Sequence, residues 1–331
     1  MNSTLFKANK LLLIEKKEHH HTASVNIPEE YVKLVLPYAG IHFRQDNDCD
    51  ILTQNIAAGP FSVWVHDIFA KEDIILLPYT PYHIWALNYM YEDSLVADTR
   101  QKNTFLLEEK ECNLFNLYPG VHSIPMEANK KILSVHINIR PKLLPYLVDK
   151  YPILASLQSD IRLIKSGPVN PLPHHINPVC DFLIQKLLSC TYTGTRAYFF
   201  IQRCCIDLFI NFARQDASSD QPFLFHNLLH MDTFHQLFQH LLEHPHKNHS
   251  LAELSYMFFM EPAQLAHGFE QHFSMPIADF ITMIKMIVTY NLLHKSQLSL
   301  KDIMYTVGFK TVEEMVQRIE CYYDCDIDQM R

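Results

Sequence analysis

The chain has 331 residues, of which 48% are hydrophobic and 19% charged, with a formal net charge of −8. A single hydrophobic core stops growing at about 250 to 300 residues, so this length predicts more than one domain. The composition excludes the polar, highly charged profile of a disordered chain and predicts well-buried cores.

The first apolar run, Leu11 to Ile14, spans four residues before Glu15, Lys16 and Lys17. It is far short of a signal-peptide core or the roughly 20 residues of a membrane span, so neither secretion nor membrane insertion is expected. The His19 to His21 run, beside acidic and basic neighbours, reads as a solvated surface turn.

From Tyr31 to Ile139 short runs rich in Val, Ile, Phe and Tyr alternate with Pro, Gly, Asn and Asp, as in Phe61 to Phe69, Ile74 to Leu77, Thr104 to Leu107 and Ile132 to Ile139. Many short strands at such spacing predict an antiparallel β-sandwich or barrel over residues 1–140. Trp64, His66, Tyr82, His83 and Trp85 lie around two of these strands, and strand alternation sends Trp64 and His66 to one face. They are the candidate ligand-binding residues of an aromatic-lined pocket for a small apolar or amphipathic molecule, the competing reading being an ordinary aromatic core. His122 and His136 stand isolated in the sequence.

After Arg140 the apolar spacing becomes helical in Lys142 to Lys150, Val179 to Leu188 and Tyr198 to Arg214. Four prolines between Ser166 and Pro178 exclude helix and inner strand there and predict a loop. The polar stretch Gln215 to Pro222 closes this helical segment, 141–222, and opens a last domain, 223–331. The eight cysteines are scattered without a disulfide framework, and Cys204 and Cys205 sit inside an apolar helical pattern, which fits reduced thiols in a cytoplasm. Cys321 and Cys325 are spaced to share a helix face but lack nearby partners for a zinc site.

Helix starts punctuate the last domain. Ser250 with Glu253, Ser299 with Asp302 and Thr311 with Glu314 have the capping-box layout, and Pro262 is a first-turn proline. Two short helix pairs follow, Leu251 to Met257 with Pro262 to His272 and Leu300 to Thr306 with Val312 to Tyr323, joined by a long helix from Ala278 to His294. Tight turns of this kind join helix-turn-helix units. Gly308 and Phe309 mark the second turn, where a left-handed backbone position favours glycine.

Residues 250–331 resemble the DNA-binding domain of the AraC/XylS transcription regulators. The segment Leu298 to Phe309 looks like the family's second-unit motif, with Ile303, Val307, Gly308 and Phe309 in their places, and Leu254, Leu265, Phe269, Phe273, Phe280, Leu292 and Leu293 fall on core positions. The helix Tyr198 to Arg214 resembles the dimerising segment that often precedes this domain, and Asp73 to His83 resembles the strand-turn-histidine of the family's cupin-like sensor. The resemblance implies an α+β multidomain chain with a cupin-like sensor, a helical linker and an all-α domain of two helix-turn-helix units. It implies double-stranded DNA and a small-molecule effector as partners, a homodimer, and base or phosphate contacts from Gln264, His267, Gln271, Lys285, Lys310, Thr311, Gln317 and Arg318. Acids or neutral residues stand at several DNA-facing positions, including Glu261, His267 and Glu270, and Phe259 holds the family's first-turn glycine position.

Residues 251–331 carry four Lys and two Arg against eleven acids, a formal −5, whereas phosphate neutralisation needs the opposite sign. Two functions compete on this point: an effector-controlled, sequence-specific DNA-binding regulator, or an AraC-shaped sensor whose acidic helices bind another protein. A cupin enzyme is disfavoured, since Tyr31 to Ile139 contains no His-x-His, and the phosphate-cradling loop, Gly-x-Ser-x-Gly and His-Glu-x-x-His patterns are missing. No catalytic residue, metal or cofactor is assigned.

Overall fold

A computed structural model describes residues 8–16, 26–98, 104–157, 166–218 and 230–330. His19 to His21 lie outside the described residues. Two compact units divide the chain: the first runs to Ile176 and takes in 186–193, and the second comprises Asn177–Gln185 and the chain from Gly194. The segment expected as a helical linker is thus shared between them.

In chain order the first unit holds β1 (Ala8–Leu13), α1 (Glu29–Val32), β2 (Gly40–Gln45), β3 (Cys49–Ala58), β4 (Phe61–Ala70), β5 (Ile74–Thr80), β6 (Ile84–Glu92), β7 (Leu95–Asp98) and β8 (Thr104–Leu107). It continues through β9 (Glu111–Leu117), β10 (Gly120–Val121), β11 (Ile124–Met126), β12 (Lys131–Ile139), α2 (Leu144–Lys150), β13 (Gly167–Pro168) and β14 (His174–His175). One sheet runs β13-β9-β6-β12-β4-β3-β2 with β14 also on β9, and a second joins β1, β5, β10 and β11. Leu12, Ile74, Leu76 and Ile124 of the smaller sheet and Ile51, Ile68, Met90 and Phe115 of the larger form one apolar core, so the unit is a two-layered sandwich.

Among the described strands the expected antiparallel arrangement has one exception: β1 pairs with β5 in parallel, Ala8 opposite Ile74. A long connection separates the two strands, and parallel pairing needs such a crossover. The proline-rich stretch expected as a loop supplies β13 and β14, two-residue bridges on β9. Proline is tolerated at such an edge because no further strand asks for its missing N–H.

The second unit contains α4 (Gly194–Ser218), preceded by α3 (Pro178–Leu188), which begins in it. There follow α5 (Met231–Glu243), α6 (Leu251–Phe258), α7 (Pro262–Phe273), α8 (Ile277–Lys295), α9 (Leu300–Val307), α10 (Val312–Tyr323) and α11 (Ile327–Met330). The polar stretch expected to break at Gln215 instead continues α4 to Ser218. Helix α4 buries Ile201, Cys204, Cys205, Leu208, Phe209 and Phe212. No single described helix is long and apolar enough to cross a membrane.

Helix α5 docks on α7 at Gly268, where a Cβ would run into the Phe234 ring. Phe238 then stacks 4.7 Å from Phe280, and Phe269 lies 4.5 Å from Phe273, which makes an aromatic core under the first helix pair.

Candidate functional site

The two helix pairs are built alike. Each begins with an 8-residue helix and continues with a 12-residue helix, α6 with α7 and α9 with α10. Ser250 accepts the Glu253 backbone N–H while Glu253 accepts the Ser250 N–H, and Ser299 with Asp302 repeats this reciprocal cap. At α10 the exchange is different from the full box expected. Thr311 accepts the Glu314 N–H at 3.0 Å, but the Glu314 carboxylate accepts the Lys310 N–H at 3.3 Å instead of that of Thr311.

Both first helices end on a left-handed residue, Phe259 at φ 53° and Gly308 at φ 76°. A buried apolar side chain follows each, Met260 and Phe309, and pins the turn to the core. Phe259, in the position expected of glycine, is 93% exposed, so its ring gains no packing in return for the backbone conformation. Gly308 is fixed twice over, by its positive φ and because a Cβ would meet the His246 carbonyl oxygen. The second helices also end left-handed, at Ser274 and Asp324. Helix α7 meets α8 at 64° across a short break.

The expected DNA-facing residues separate into two groups. On α7, His267 is exposed and Gln264 and Gln271 are half-buried; at α10, Lys310, Thr311, Gln317 and Arg318 are exposed. Lys285 is different: it is 8% exposed, donates to Asn248 Oδ1 at 2.9 Å and to the Gly308 carbonyl at 3.4 Å, and lies 4.7 Å from the Phe309 ring centre. Burial lowers its pKa, with Arg318 adding repulsion and Glu314 opposing it. The side chain therefore braces the second turn, a task that the sequence pattern alone does not separate from phosphate contact. Arg318 forms an ion pair with Glu314 at 3.2 Å, so part of its charge is already answered.

One helix holds both pairs. Asn211 of α4 donates to the Phe273 carbonyl at the end of α7 at 2.8 Å. Eight residues earlier, Arg203 donates to the Tyr322 carbonyl at 3.1 Å and stacks 3.7 Å over the Tyr322 ring, whose hydroxyl donates to Asp207 at 2.6 Å. Burial and the Asp207 charge push the Tyr322 phenol well up, so it stays a donor. The helix expected as a dimerising segment thus spends these side chains inside its own unit.

In the sandwich, Trp64 and His66 share a face as alternation predicts, their rings 5.9 Å apart, and His136 stacks 4.9 Å from His66. These histidines line a cavity of about 80 Å³ between the sheets, together with Asn88, His122 and apolar walls that include Leu12, Pro78 and Phe115. The other expected pocket residues, Trp64, Tyr82, His83 and Trp85, are not among its lining. Trp85 takes the opposite face of β6, where its indole N–H donates to Asn116 Oδ1 at 3.1 Å; the same oxygen is 2.6 Å from His83 Nε2. Tyr82 lies under Arg140, 4.5 Å away. His122 and His136, apart in sequence, line the same cavity because β12 pairs with β4 and β6 while the chain after β10 lies on β5.

Burial pushes the His136 imidazole down to about 4 and His66 well below the usual range, with His136 adding to the effect on His66. Both rings are neutral near pH 7. Elsewhere in the unit, the carboxylates of Asp46 and Asp48, grouped with Cys49 in a metal-like cluster, are bridged by the Lys10 ammonium, 2.7 Å from Asp46. That cation answers the charge a metal would otherwise answer.

No family model and no curated protein matches the sequence. Among solved structures, the chain is similar to the C-terminal domain of the two-component response regulator YesN from Fusobacterium nucleatum, with 24% identity over 29% of this chain and 95% of that one, at a TM-score of 0.28. The DNA-binding domain of AdpA, solved in complex with a target DNA, is 14% identical over 29% of this chain and 86% of its own, at a TM-score of 0.28. ToxT from Vibrio cholerae aligns over 82% of this chain and 98% of its own at 13% identity, with a TM-score of 0.31.

Proposed function

We propose that the chain is an AraC-like transcription regulator, in which α7 and α10 enter two successive major-groove segments of duplex DNA and the sandwich binds a small effector. The observation that carries this reading is the matched pair of capped helix-turn-helix units on one rod. Helix α8 has 19 residues, and at about 1.5 Å per residue it spans roughly 28 Å, close to the roughly 34 Å repeat of the DNA groove. Helix α4 then fixes the spacing of the reading heads by bonding to the end of α7 and to α10.

On this reading Gln264, His267 and Gln271 face one groove segment and Lys310, Thr311, Gln317 and Arg318 the next, glutamine being suited to adenine and arginine to guanine. Lys285 acts from behind, by holding the Gly308 turn. The regulator works as a homodimer in a reducing cytoplasm, with Cys204 and Cys205 buried as thiols within α4. No step of this function calls on catalysis or a cofactor.

A second reading is favoured by one specific observation. The formal −5 of residues 251–331, with Glu313 exposed on α10 and Tyr256 and Phe259 84% and 93% exposed beside the first turn, makes a surface suited to a basic protein partner. Titrating salt against binding to random duplex DNA separates the two. A reader that neutralises several phosphates loses affinity linearly on logarithmic axes, with a slope of about −0.9 per phosphate; undetectable binding at low salt instead selects the protein-binding reading.

A further inference from the structure

The cavity between the two sheets has a feature that an ordinary core does not tolerate. His66 Nε2, His136 Nε2 and Asn88 Oδ1 are buried and have no hydrogen-bond partner among the described residues, and all three residues line this cavity. They stand on adjacent strands of one face: Asn88 is directly opposite His136, and His66 is opposite Ser134, two residues before His136. Each buried polar atom left without a bond costs about 1–3 kcal/mol, so three of them on residues that line one space point to a place that takes a polar occupant.

The neighbours define what those atoms offer. Asn138 Nδ2 donates to the Ile14 carbonyl at 2.6 Å, which turns Asn138 Oδ1 toward His136 Nδ1, 3.2 Å away. An oxygen there accepts, so the His136 proton sits on Nδ1 and Nε2 is left with a free lone pair, on a residue that lines the cavity. Asn88 Oδ1 is likewise an acceptor. Among the described residues the lining carries no lysine or arginine. An anion would meet lone pairs with no counter-charge, and an apolar wall penalises any ion. At about 80 Å³ the space takes several water-sized groups, and so a molecule of on the order of six to ten heavy atoms.

We propose that this cavity binds a small uncharged molecule with an apolar body and a hydroxyl donor, of the alcohol or phenol class, through His136 and Asn88, with His66 as a further polar contact. The inference rests on the reading of the first unit as the effector domain. It adds the chemical class of the effector and the atoms that select it.

Trp64 provides the readout, because its ring stacks 5.9 Å from His66 and 6.4 Å from His136. In the full-length Trp85→Phe variant it is the remaining tryptophan of two. Phenol, toluene and benzoate are titrated while Trp64 fluorescence is recorded. The expected result is saturable quenching by phenol, binding of toluene about tenfold weaker for want of a donor, and no saturation by benzoate. His136→Phe, with its thermal midpoint checked, should bring phenol and toluene to equal affinity; Asn88→Leu makes the same test should that variant not fold. Toluene or benzoate binding as tightly as phenol, or no saturable response to phenol in the parent protein, would overturn the assignment. Because no DNA is present, such failure leaves the DNA-reading function untouched, and loss of DNA binding leaves this site standing.

Discussion

At the scale of single residues, the two turns make opposite predictions. Gly308 has φ 76° and no room for a Cβ against the His246 backbone, so Gly308→Ala should lower stability by about 1–3 kcal/mol, read as a fall in thermal midpoint. Phe259 holds φ 53° while 93% exposed, so Phe259→Gly should raise stability by roughly 0.5–1 kcal/mol. His136 gives a pH test. Its folded pKa is about 4, below the roughly 6.5 of a free imidazole, so the unfolded chain binds more protons between those values. Its contribution is fully present above about pH 6.5 and is lost as pH falls toward 4, by about 3 kcal/mol at most. Glu15 and Asp67, whose carboxyls burial pushes up, act with the opposite sign in any protein that retains them. The measurement is therefore a difference: the thermal midpoint of His136→Gln should fall less steeply from pH 6.5 to 4 than that of the parent.

At the scale of elements, what was legible in the sequence was what is decided locally. The helix starts at Ser250, Ser299 and Thr311 are set by side chains bonding to backbone within three residues and that at Pro262 by the fixed φ of a first-turn proline, and they lie where the sequence pattern puts them. The caps carry real stability, and Ser299→Ala should cost about 1 kcal/mol. What was not legible depends on partners far along the chain. Nothing near Lys285 in sequence says that it reaches Asn248 and Gly308, and nothing near His136 says that it stacks on His66. Strand register makes the cavity, and the parallel pairing of β1 with β5 closes one wall of it through Leu12. For the same reason His66 lines the cavity while Trp64, Tyr82, His83 and Trp85 are not among its lining. Alternation gives the face of Trp64 and His66, but which strand lies beside them is set by non-local pairing.

At the scale of the whole molecule, fold and charge pull in different directions. The hydrophobic skeleton of the two helix pairs is buried at every expected core position but Leu292, which is half-buried, while the exposed residues of α10 include Glu313 and only one arginine, already paired with Glu314. If DNA is the partner, acids near the backbone limit affinity, and Glu313→Gln should strengthen binding to duplex DNA at low salt, whereas Arg318→Ala should weaken it. A protein partner of basic character would reverse the first of these. The Asn211 and Arg203 contacts of α4 hold the two heads at one spacing, so an Arg203→Ala change should loosen α10 and reduce binding to two adjoining half-sites more than to one.

The most direct measurement is selection of bound duplexes from a random DNA pool by the full-length protein, followed by methylation-protection footprinting of the winners. The account predicts an enriched sequence with protection in two major-groove segments centred about one helical turn apart. A pool that stays random after repeated rounds, or a footprint confined to a single groove segment, would contradict it.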